Sequence, residues 1–282
     1  MDLDHLAQWT GRSEEASDIV TPRLLASFRA TFGDRLAAAG PDEAPLALHW
    51  CLAPPIVPLD ATGPDGHAAK GGFLPPVPLP RRMWAGGHVE WLAPLRSGDE
   101  VVRRSQIGAI ETKQGRSGPL CFVAVHHEFS TGRGTAIRER HDIVYREAPR
   151  PGSPGQPAPA PAPSPAFDLE WRIETDPVLL FRYSALSFNS HRIHYDHPYV
   201  TGVEGYAGLV VHGPIQATLL ANIIAAAAGT GRIAMDYRGL APLMAGTPLW
   251  IRAARLADGS VSAWTESAAG QVHMQASGRP LP

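Results

Sequence analysis

The amino-acid sequence predicts an α+β protein made of two related halves, each with a helix early and antiparallel strands late. Three observations indicate this class. A proline-rich segment divides the chain almost in half, a ten-residue pattern occurs once on each side of it, and alternating strand patterns follow each copy. At 282 residues the chain suits one large domain or two of about 140 residues, so a sizeable core is expected.

The boundary between the halves is predicted at residues 149–165, where prolines alternate with Ala, Gly and Ser. Proline fixes φ and has no N–H to donate, so such a segment forms neither a helix nor a sheet ladder. It is typical of an extended, semi-rigid linker. We therefore expect an N-terminal domain over residues 1–148 and a C-terminal domain over residues 166–282.

The repeated pattern reads LAPLRSGDEV at residues 92–101 and LAPLMAGTPL at residues 240–249, an offset of 240 − 92 = 148. A shared pattern followed by a shared arrangement of strands indicates a duplicated unit. Asp258-Gly259 is a strong hairpin signal within the second set of strands. The predicted strands are 101–111 and 120–129, joined by a turn at 113–119, and then 249–256, 261–267 and 271–277.

Helix start and stop signals predict one helix in the first half and two in the second. Thr21 stands before Pro22 as an N-cap, and Gly33 follows the apolar stretch as a stop. The second-half helices are expected from Asp176-Pro177 through Tyr183, and from His212 or Gly213 to Ala228, closed by Gly229.

Charge and composition exclude several classes of function. The net charge is −2 and the pI is about 6.6, so no basic face for nucleic acid is implied. The two cysteines have no CxxC spacing, which favours a reducing compartment without disulfides. The polar start lacks the pattern of a secretory signal, and the longest apolar run is too short to span a bilayer. We expect a cytoplasmic protein with neither a nucleic-acid nor a membrane partner.

The most chemically suggestive stretch is residues 181–199, FRYSALSFNSHRIHYDHPY. His194 is the side chain there that titrates near neutral pH, Asn189 lies five residues before it, and Asp196 is placed to orient a histidine. Gly213 opens the long apolar helix, where the first N–H groups are unpaired and carry partial positive charge. A glycine there permits close approach, so the helix start suits an oxyanion.

These residues carry a resemblance to a known family. The run Asn189-Ser-His-Arg-Ile-His194, with His212-Gly213 following 18 residues later, resembles the hot-dog fold enoyl-thioester hydratases, or MaoC-like dehydratases. The preceding RYSAL, and PRRMWAGG at residues 80–87, are similar to the branch that contains mesaconyl-C4-CoA (3-methylfumaryl-CoA) hydratase, itaconyl-CoA hydratase and mitochondrial-type 3-hydroxyacyl-thioester dehydratases. The resemblance covers nearly the whole chain.

The resemblance implies a double hot-dog, in which a sheet wraps a central helix in each half, and a homodimer. It implies reversible addition of water across the 2,3 double bond of a short branched dicarboxylyl-CoA, mesaconyl-C4-CoA or itaconyl-CoA, to give citramalyl-CoA. Coenzyme A is then part of the substrate, and no separate cofactor is expected. His194 is the expected general acid/base, and the Gly213 N–H the expected donor to the thioester oxygen. Asn189 replaces the family's Asp and is expected to position the water.

A substrate with a free carboxylate needs an arginine, for which Arg81 and Arg82 are candidates and Arg192 and Arg238 are competitors. The first half has no acid/base pair at the positions equivalent to Asn189 and His194, so it is expected to be catalytically silent and to cover the acyl or CoA portion. The predicted substrate-binding residues are Arg82, Trp84, Arg192, Tyr195 and His212.

Several alternatives stay open at this point. A 3-hydroxyacyl-thioester dehydratase acting on fatty acyl-CoA or acyl carrier protein is the nearest, and a non-catalytic acyl-thioester binding module is the alternative from another class. A hot-dog thioesterase would need a carboxylate on the central helix, which instead carries Gln216, Thr218 and Asn222. Histidines recur every three residues over 191–197, but without nearby cysteines or an HExxH pattern no metal is expected.

Overall fold

The computed structural model describes residues 3–115, 118–148 and 164–282. The strands are β1 (Ser13–Ile19), β2 (Arg81–Trp91), β3 (Glu100–Gly115), β4 (Gly118–Thr131), β5 (Gly134–Arg146), β6 (Leu169–Glu174), β7 (Ile233–Gly239), β8 (Pro248–Arg255), β9 (Val261–Ser267) and β10 (Val272–Pro280). The α-helices are α1 (Leu3–Ala7), α2 (Pro22–Phe32), α3 (Pro177–Ser187), α4 (His197–Gly202) and α5 (Gly213–Ala228). Short 3₁₀ turns lie at Leu48–Cys51, Leu59–Ala61 and Arg192–His194.

Within these residues the strands form one continuous antiparallel sheet in the order β1-β3-β4-β5-β2-β7-β10-β9-β8-β6. The first five strands along the chain occupy one side of the sheet, and the last five occupy the other. The two sets meet where β2 pairs with β7. The predicted α+β class with two strand-rich halves is confirmed.

The register at this junction reproduces the sequence repeat. His88 pairs with Asp236, and 236 − 88 = 148 is the offset between the repeated segments. The pairs Gly86–Arg238 and Glu90–Ala234 flank it symmetrically. A pseudo-twofold axis therefore passes between His88 and Asp236, whose Nδ1 and Oδ1 atoms lie 2.9 Å apart.

The repeated segments also make the same backbone contacts. In residues 92–101 the N–H groups of Leu92 and Ala93 both donate to the carbonyl of Ala136, at 2.9 and 3.1 Å. In residues 240–249 the N–H groups of Leu240 and Ala241 both donate to the carbonyl of His273, at 2.8 and 3.2 Å. Each copy thus joins the strand before it to the last strand of its own half.

Helix α5 forms the centre of the core. It packs on β8, β9 and β10, and the same buried cluster includes Phe28 and Phe32 of α2. A helix enclosed in this way is apolar all round, as its Ala, Leu and Ile composition shows. The buried Asn222 side chain of α5 is hydrogen-bonded to the first half. Its Oδ1 accepts from the N–H of Ala37 at 3.1 Å, and its Nδ2 donates to the carbonyl of Leu46 at 3.2 Å.

Among the described residues, the first half has no counterpart of α5. Subtracting 148 from the bounds of α5 gives residues 65–80, which are not helical. Prolines at 75, 76, 78 and 80 explain this, because interior prolines remove helical hydrogen bonds. A smaller buried cluster covers the sheet instead, with Leu6, Val77 and Leu79 packed against strand residues. The implied arrangement of a sheet around a long helix therefore holds for the second half.

Two element boundaries differ from the predictions. Helix α3 continues past Tyr183 to Ser187 and ends where Phe188 takes a left-handed backbone at φ 50°. The turn expected at 113–119 is narrower, because Lys113 pairs with Leu120 and extends the β3–β4 ladder. Helices α2 and α5 have the predicted bounds, with the Leu24 N–H donating to the Thr21 cap at 3.1 Å.

Most of the predicted linker lies outside the described residues, so the domain boundaries at 148 and 166 stay predictions. Cys51 and Cys121 are buried free thiols. Among the described helices, none is both long enough and apolar enough to cross a bilayer.

Candidate active site

Asn189 shapes the loop that follows α3. Its N–H donates to the carbonyl of Ser184 at 3.0 Å, and its Oδ1 accepts from the His191 N–H at 2.9 Å. The second contact closes a short turn of the kind that Asn side chains favour. The amide at the predicted catalytic position therefore sets the path of the loop, and its role in holding water stays a prediction.

His194 lies at the end of the 3₁₀ turn and is buried, with 7% of its surface exposed. Its Nδ1–H donates to the carbonyl of Val210 at 2.7 Å. This fixes the tautomer and leaves Nε2 as the proton acceptor of the neutral ring. Burial lowers the pKa of His194 to about 4, although the bond to Val210 opposes the shift. At neutral pH His194 is an uncharged base.

His212 supports that ring from one face. The two imidazoles stack with centroids 3.5 Å apart and planes at 15°. His212 Nε2 lies 2.9 Å from Ser184 Oγ, and the residue has no exposed surface. Burial lowers the pKa of His212 well below its usual value, so this ring is neutral too. The predicted contact between His212 and substrate is not supported by its burial; its position favours orienting His194.

Gly213 and Trp84, both predicted from sequence, come together across the two halves. The Gly213 N–H is the first of α5 and has no acceptor within the helix. A Cβ added to Gly213 would lie 2.9 Å from Trp84 Cε3, so the indole closes over the helix start. Trp84 is held there between Trp50 and Tyr237, with ring centroids 5.2 and 5.1 Å away.

Arg192 and Asp196 bind each other rather than their predicted partners. The Arg192 Nε and Nη2 donate to Asp196 Oδ2 at 2.9 and 2.7 Å, and the guanidinium lies 3.9 Å over the Tyr199 ring. Asp196 Oδ1 accepts from the Tyr199 N–H at 3.0 Å as the cap of α4. The suggestion that Asp196 orients His194 is wrong, since Val210 does so. Asp196 neutralises the charge of Arg192, so a contact between Arg192 and the substrate is disfavoured.

Tyr195 is 55% exposed, and its hydroxyl donates to the carbonyl of Ser190 at 3.1 Å. This contact braces the outside of the loop. Its placement gives no support to the predicted contact with substrate.

Of the two neighbouring arginines, Arg82 is the one whose charge is available. Arg81 is buried, forms an ion pair with Glu204 at 2.9 Å and also binds the Glu204 carbonyl. Among the ion pairs of the described residues, none involves Arg82. Its charge helps to lower the pKa values of His67 and His191. Arg238 is exposed on the outer face of the sheet.

The structure adds two residues that sequence reasoning missed, Asp65 and His67, from the half expected to be silent. Their loop lies against the motif: the Arg192 N–H donates to the Asp65 carbonyl at 2.9 Å, and Ser190 Oγ donates to the Gly66 carbonyl at 2.5 Å. The rings of His67 and His191 are 4.0 Å apart. Pro64-Asp-Gly66 is a turn signal, but nothing in it indicates the distant partner.

We expect Gly66→Ala to detach this loop. Gly66 has φ +88°, and an added Cβ would collide with the Ser190 carbonyl, so the alanine cannot adopt the observed position. Limited proteolysis should then cut residues 62–72 faster than in the unmodified chain. Gly72→Ala, where nothing lies within 4 Å, is the matched control. Equal cleavage rates in the two variants would contradict the docking described above.

The Asp65, His67 and His191 ligand atoms lie within 4.8 Å of one another, a spacing that a metal ion would exploit. Two features disfavour a cation. His67 Nδ1 already lies 2.9 Å from Asp65 Oδ2, and the Arg82 charge acts on both histidines.

The duplicated sheet, with α5 packed on its second half and a neutral buried histidine stacked on the residue before the glycine that opens that helix, defines a double hot-dog protein of the hydro-lyase class. The chain belongs to the hydroxyacyl-thioester dehydratase type 2 family, whose sequence profile matches residues 47–245.

One relative in sequence agrees with this assignment, and two solved structures share the fold. The chain is 41% identical over 237 residues to mesaconyl-C(4)-CoA hydratase of Chloroflexus aurantiacus. The aligned residues cover 83% of this chain and 84% of that protein. The solved structure of HtdX from Mycobacterium tuberculosis has a TM-score of 0.66 at 20% identity, covering 96% of this chain and 100% of that one. A second protein from Mycobacterium tuberculosis, described as a double hotdog fold, has a TM-score of 0.56 at 15% identity, covering 95% and 94%. The two structures show the fold alone.

Proposed function

We propose that the chain is a hydratase that adds water reversibly across the 2,3 double bond of a short branched dicarboxylyl-CoA, with mesaconyl-C4-CoA as the leading candidate. The observation that carries this is the site's composition: a neutral His194 whose ring stacks on His212 at the start of α5, the N–H of Gly213 without a helical acceptor, and Arg82, which forms no ion pair among the described residues. The likeness to the Chloroflexus protein supports the same substrate class.

The proposed chemistry uses one proton acceptor and one oxyanion donor. His194 Nε2 takes a proton from water as the water oxygen bonds to C3, and the π electrons move through C2 to the thioester oxygen. The Gly213 N–H donates to that oxygen as negative charge develops on it. One such donor typically increases the rate by about 10²–10³-fold. The imidazolium then returns its proton to C2, so no net proton is gained or lost. No cofactor beyond the substrate's coenzyme A enters this sequence.

Arg82 is the proposed partner of the substrate's free carboxylate, and Trp84 the wall beside the reacting carbons. Arg192 is not retained for the carboxylate, because Asp196 neutralises it. We further propose that the enzyme works in the cytoplasm as a homodimer, as the sequence resemblance implies.

Arg82→Met should raise KM for mesaconyl-C4-CoA by about 10–100-fold, because a charge-assisted pair is lost. The KM for crotonyl-CoA, which has no second carboxylate, should change little. Arg104→Met is the matched control, since Arg104 is an exposed strand arginine paired with Glu15. An equal increase in KM for both substrates would show that Arg82 does not bind the carboxylate.

The function itself is tested by following enoyl-thioester absorbance with crotonyl-CoA, mesaconyl-C4-CoA, itaconyl-CoA and a longer enoyl-CoA. The fastest turnover is expected with mesaconyl-C4-CoA. Preference for the longer substrate would favour the fatty acyl dehydratase alternative. No turnover of any of the four would exclude the hydratase.

The thioesterase alternative is disfavoured by the polar groups of α5. Gln216 accepts from the Thr265 hydroxyl at 2.7 Å, and Asn222 is bound to the first half. Neither is a carboxylate. Release of free coenzyme A without hydration would support that alternative.

A further inference from the structure

We propose that the first half supplies a positioning pair, Asp65 and His67, which holds the His191 ring at the hydration site in place of the acid that Asn189 cannot provide. This inference rests on the proposed function and deepens it. It also replaces the expectation that the first half is catalytically silent.

The pair is rigidly built within its own loop. His67 N–H donates to Asp65 Oδ1 at 3.0 Å, and His67 Nδ1 donates to Asp65 Oδ2 at 2.9 Å. The Gly63 N–H closes the loop by donating to the His67 carbonyl at 2.7 Å. With Nδ1 committed to the carboxylate, the tautomer of His67 is fixed and Nε2 is the acceptor. A carboxylate–histidine pair of this kind orients the ring.

A continuous series of rings leads from this pair to the proposed base. His67 lies 4.0 Å from His191 with planes at 41°, and His191 lies 5.4 Å from His194 with planes at 88°. The His67 ring therefore limits the orientations open to His191 on the face turned toward the first half. His194 meets the same ring at nearly a right angle and limits its orientations further.

His191 is suited to holding the attacking water. Burial, and the repulsion that His67 and His194 exert when they are protonated, lower the pKa of His191 to about 2. A neutral imidazole offers one donor and one acceptor, whereas the Asn189 oxygen is already used in the turn. Orientation of the water through His191 then leaves proton transfer to His194.

The charges around His67 come from several elements. Asp65 on its own loop and Glu204 after α4 raise its pKa, while Arg82 on β2 lowers it and burial lowers it most. Asp65, Arg82 and His67 also act on His191, and Arg82 acts on Lys70. A protonated His67 in turn lowers the pKa of His194. Removal of the His67 ring should therefore raise the pKa of His194.

The kinetic test compares His67→Ala and Asp65→Asn with His197→Ala and Asp60→Asn, whose side chains are exposed. Misplacing a reacting group by about 1 Å lowers the rate by about 10²-fold. We therefore expect kcat to fall about 10–100-fold in His67→Ala and Asp65→Asn, with little change in KM. The acid limb of the kcat/KM profile should move to higher pH in His67→Ala. The controls should match the unmodified enzyme. Near-normal kcat and an unmoved limb in His67→Ala would overturn the inference.

A second readout is independent of turnover. Titration of the imidazole NMR signals should show a raised His194 pKa in His67→Ala and a lowered His67 pKa in Asp65→Asn. If the unmodified chain hydrates none of the four enoyl-CoAs, the proposed function fails. These NMR shifts still decide whether Asp65 and His67 are coupled to His194, and unchanged values for both would overturn that coupling.

Discussion

His194→Ala lowers kcat for hydration by about 10²–10⁴-fold, the usual contribution of a positioned acid/base. The loss is expected because Nε2 of His194 is the acceptor left by the Nδ1–H bond to Val210. Alanine also removes the ring that stacks on His212, and the 7% exposure of His194 leaves little room for water to take its place. The measurement is steady-state hydration of mesaconyl-C4-CoA, with circular dichroism to confirm folding.

The unmodified enzyme should show the matching pH dependence. The active form is neutral His194, whose pKa is lowered to about 4. kcat/KM should therefore stay level as pH falls from 7 through the ordinary histidine range, and decline only as it approaches 4. The unfolded chain has the higher histidine pKa, about 6.5, so it binds protons first and stability also falls between those two values. Circular dichroism at each pH separates the two effects.

His197→Ala is the control for this experiment, because His197 belongs to the same segment and is exposed at the start of α4. Its kcat should match that of the unmodified enzyme. If His194→Ala folds and keeps near-normal kcat, the assignment of His194 as the base is wrong.

Gly213→Ala should lower kcat by about 10²–10³-fold, as expected for loss of one oxyanion donor. The added Cβ would lie 2.9 Å from Trp84 Cε3, and Trp50 and Tyr237 prevent the indole from moving aside. The start of α5 must shift instead, which moves the Gly213 N–H. The same overpacking should destabilise the fold by about 1–3 kcal/mol, measured by chemical denaturation.

Gly202→Ala is the matched control, since it is also a helical glycine but has nothing within 4 Å of the added Cβ. Trp84→Phe combined with Gly213→Ala should recover part of the lost stability, because the smaller ring relieves the collision. A double-mutant cycle measures that coupling. Additive effects of the two substitutions would show that Trp84 does not determine the position of the helix start.

The elements that the sequence predicted well are those set by local chemistry. Thr21 and Gly33 bound α2, and Gly213 and Gly229 bound α5, because caps and stops act within one helical turn. The duplicated pattern predicted two related halves with an offset of 148 residues, and the same offset relates His88 to Asp236 at the junction of the halves. Gly213 and Trp84 were both chosen from sequence and lie in contact.

The weaker predictions concern which group each polar side chain meets. Arg192 and Asp196 lie four residues apart, so their pairing was available locally, yet the sequence equally allowed each to face the site. The carbonyl of Val210 could not be distinguished from any other backbone group as the partner of His194. Asp65 and His67 reach His191 over a separation of more than 120 residues.

The sequence by itself determined the class, the helix that opens at Gly213 and the histidine beside it, because periodicity, caps and motif spacing are properties of neighbouring residues. Only the tertiary structure decided that Arg192 is neutralised, that Arg82 is not, and that the first half brings Asp65 and His67 to the site. Burial and long-range packing set these charges and contacts. They depend on how the two halves meet at β2 and β7, which no local pattern encodes.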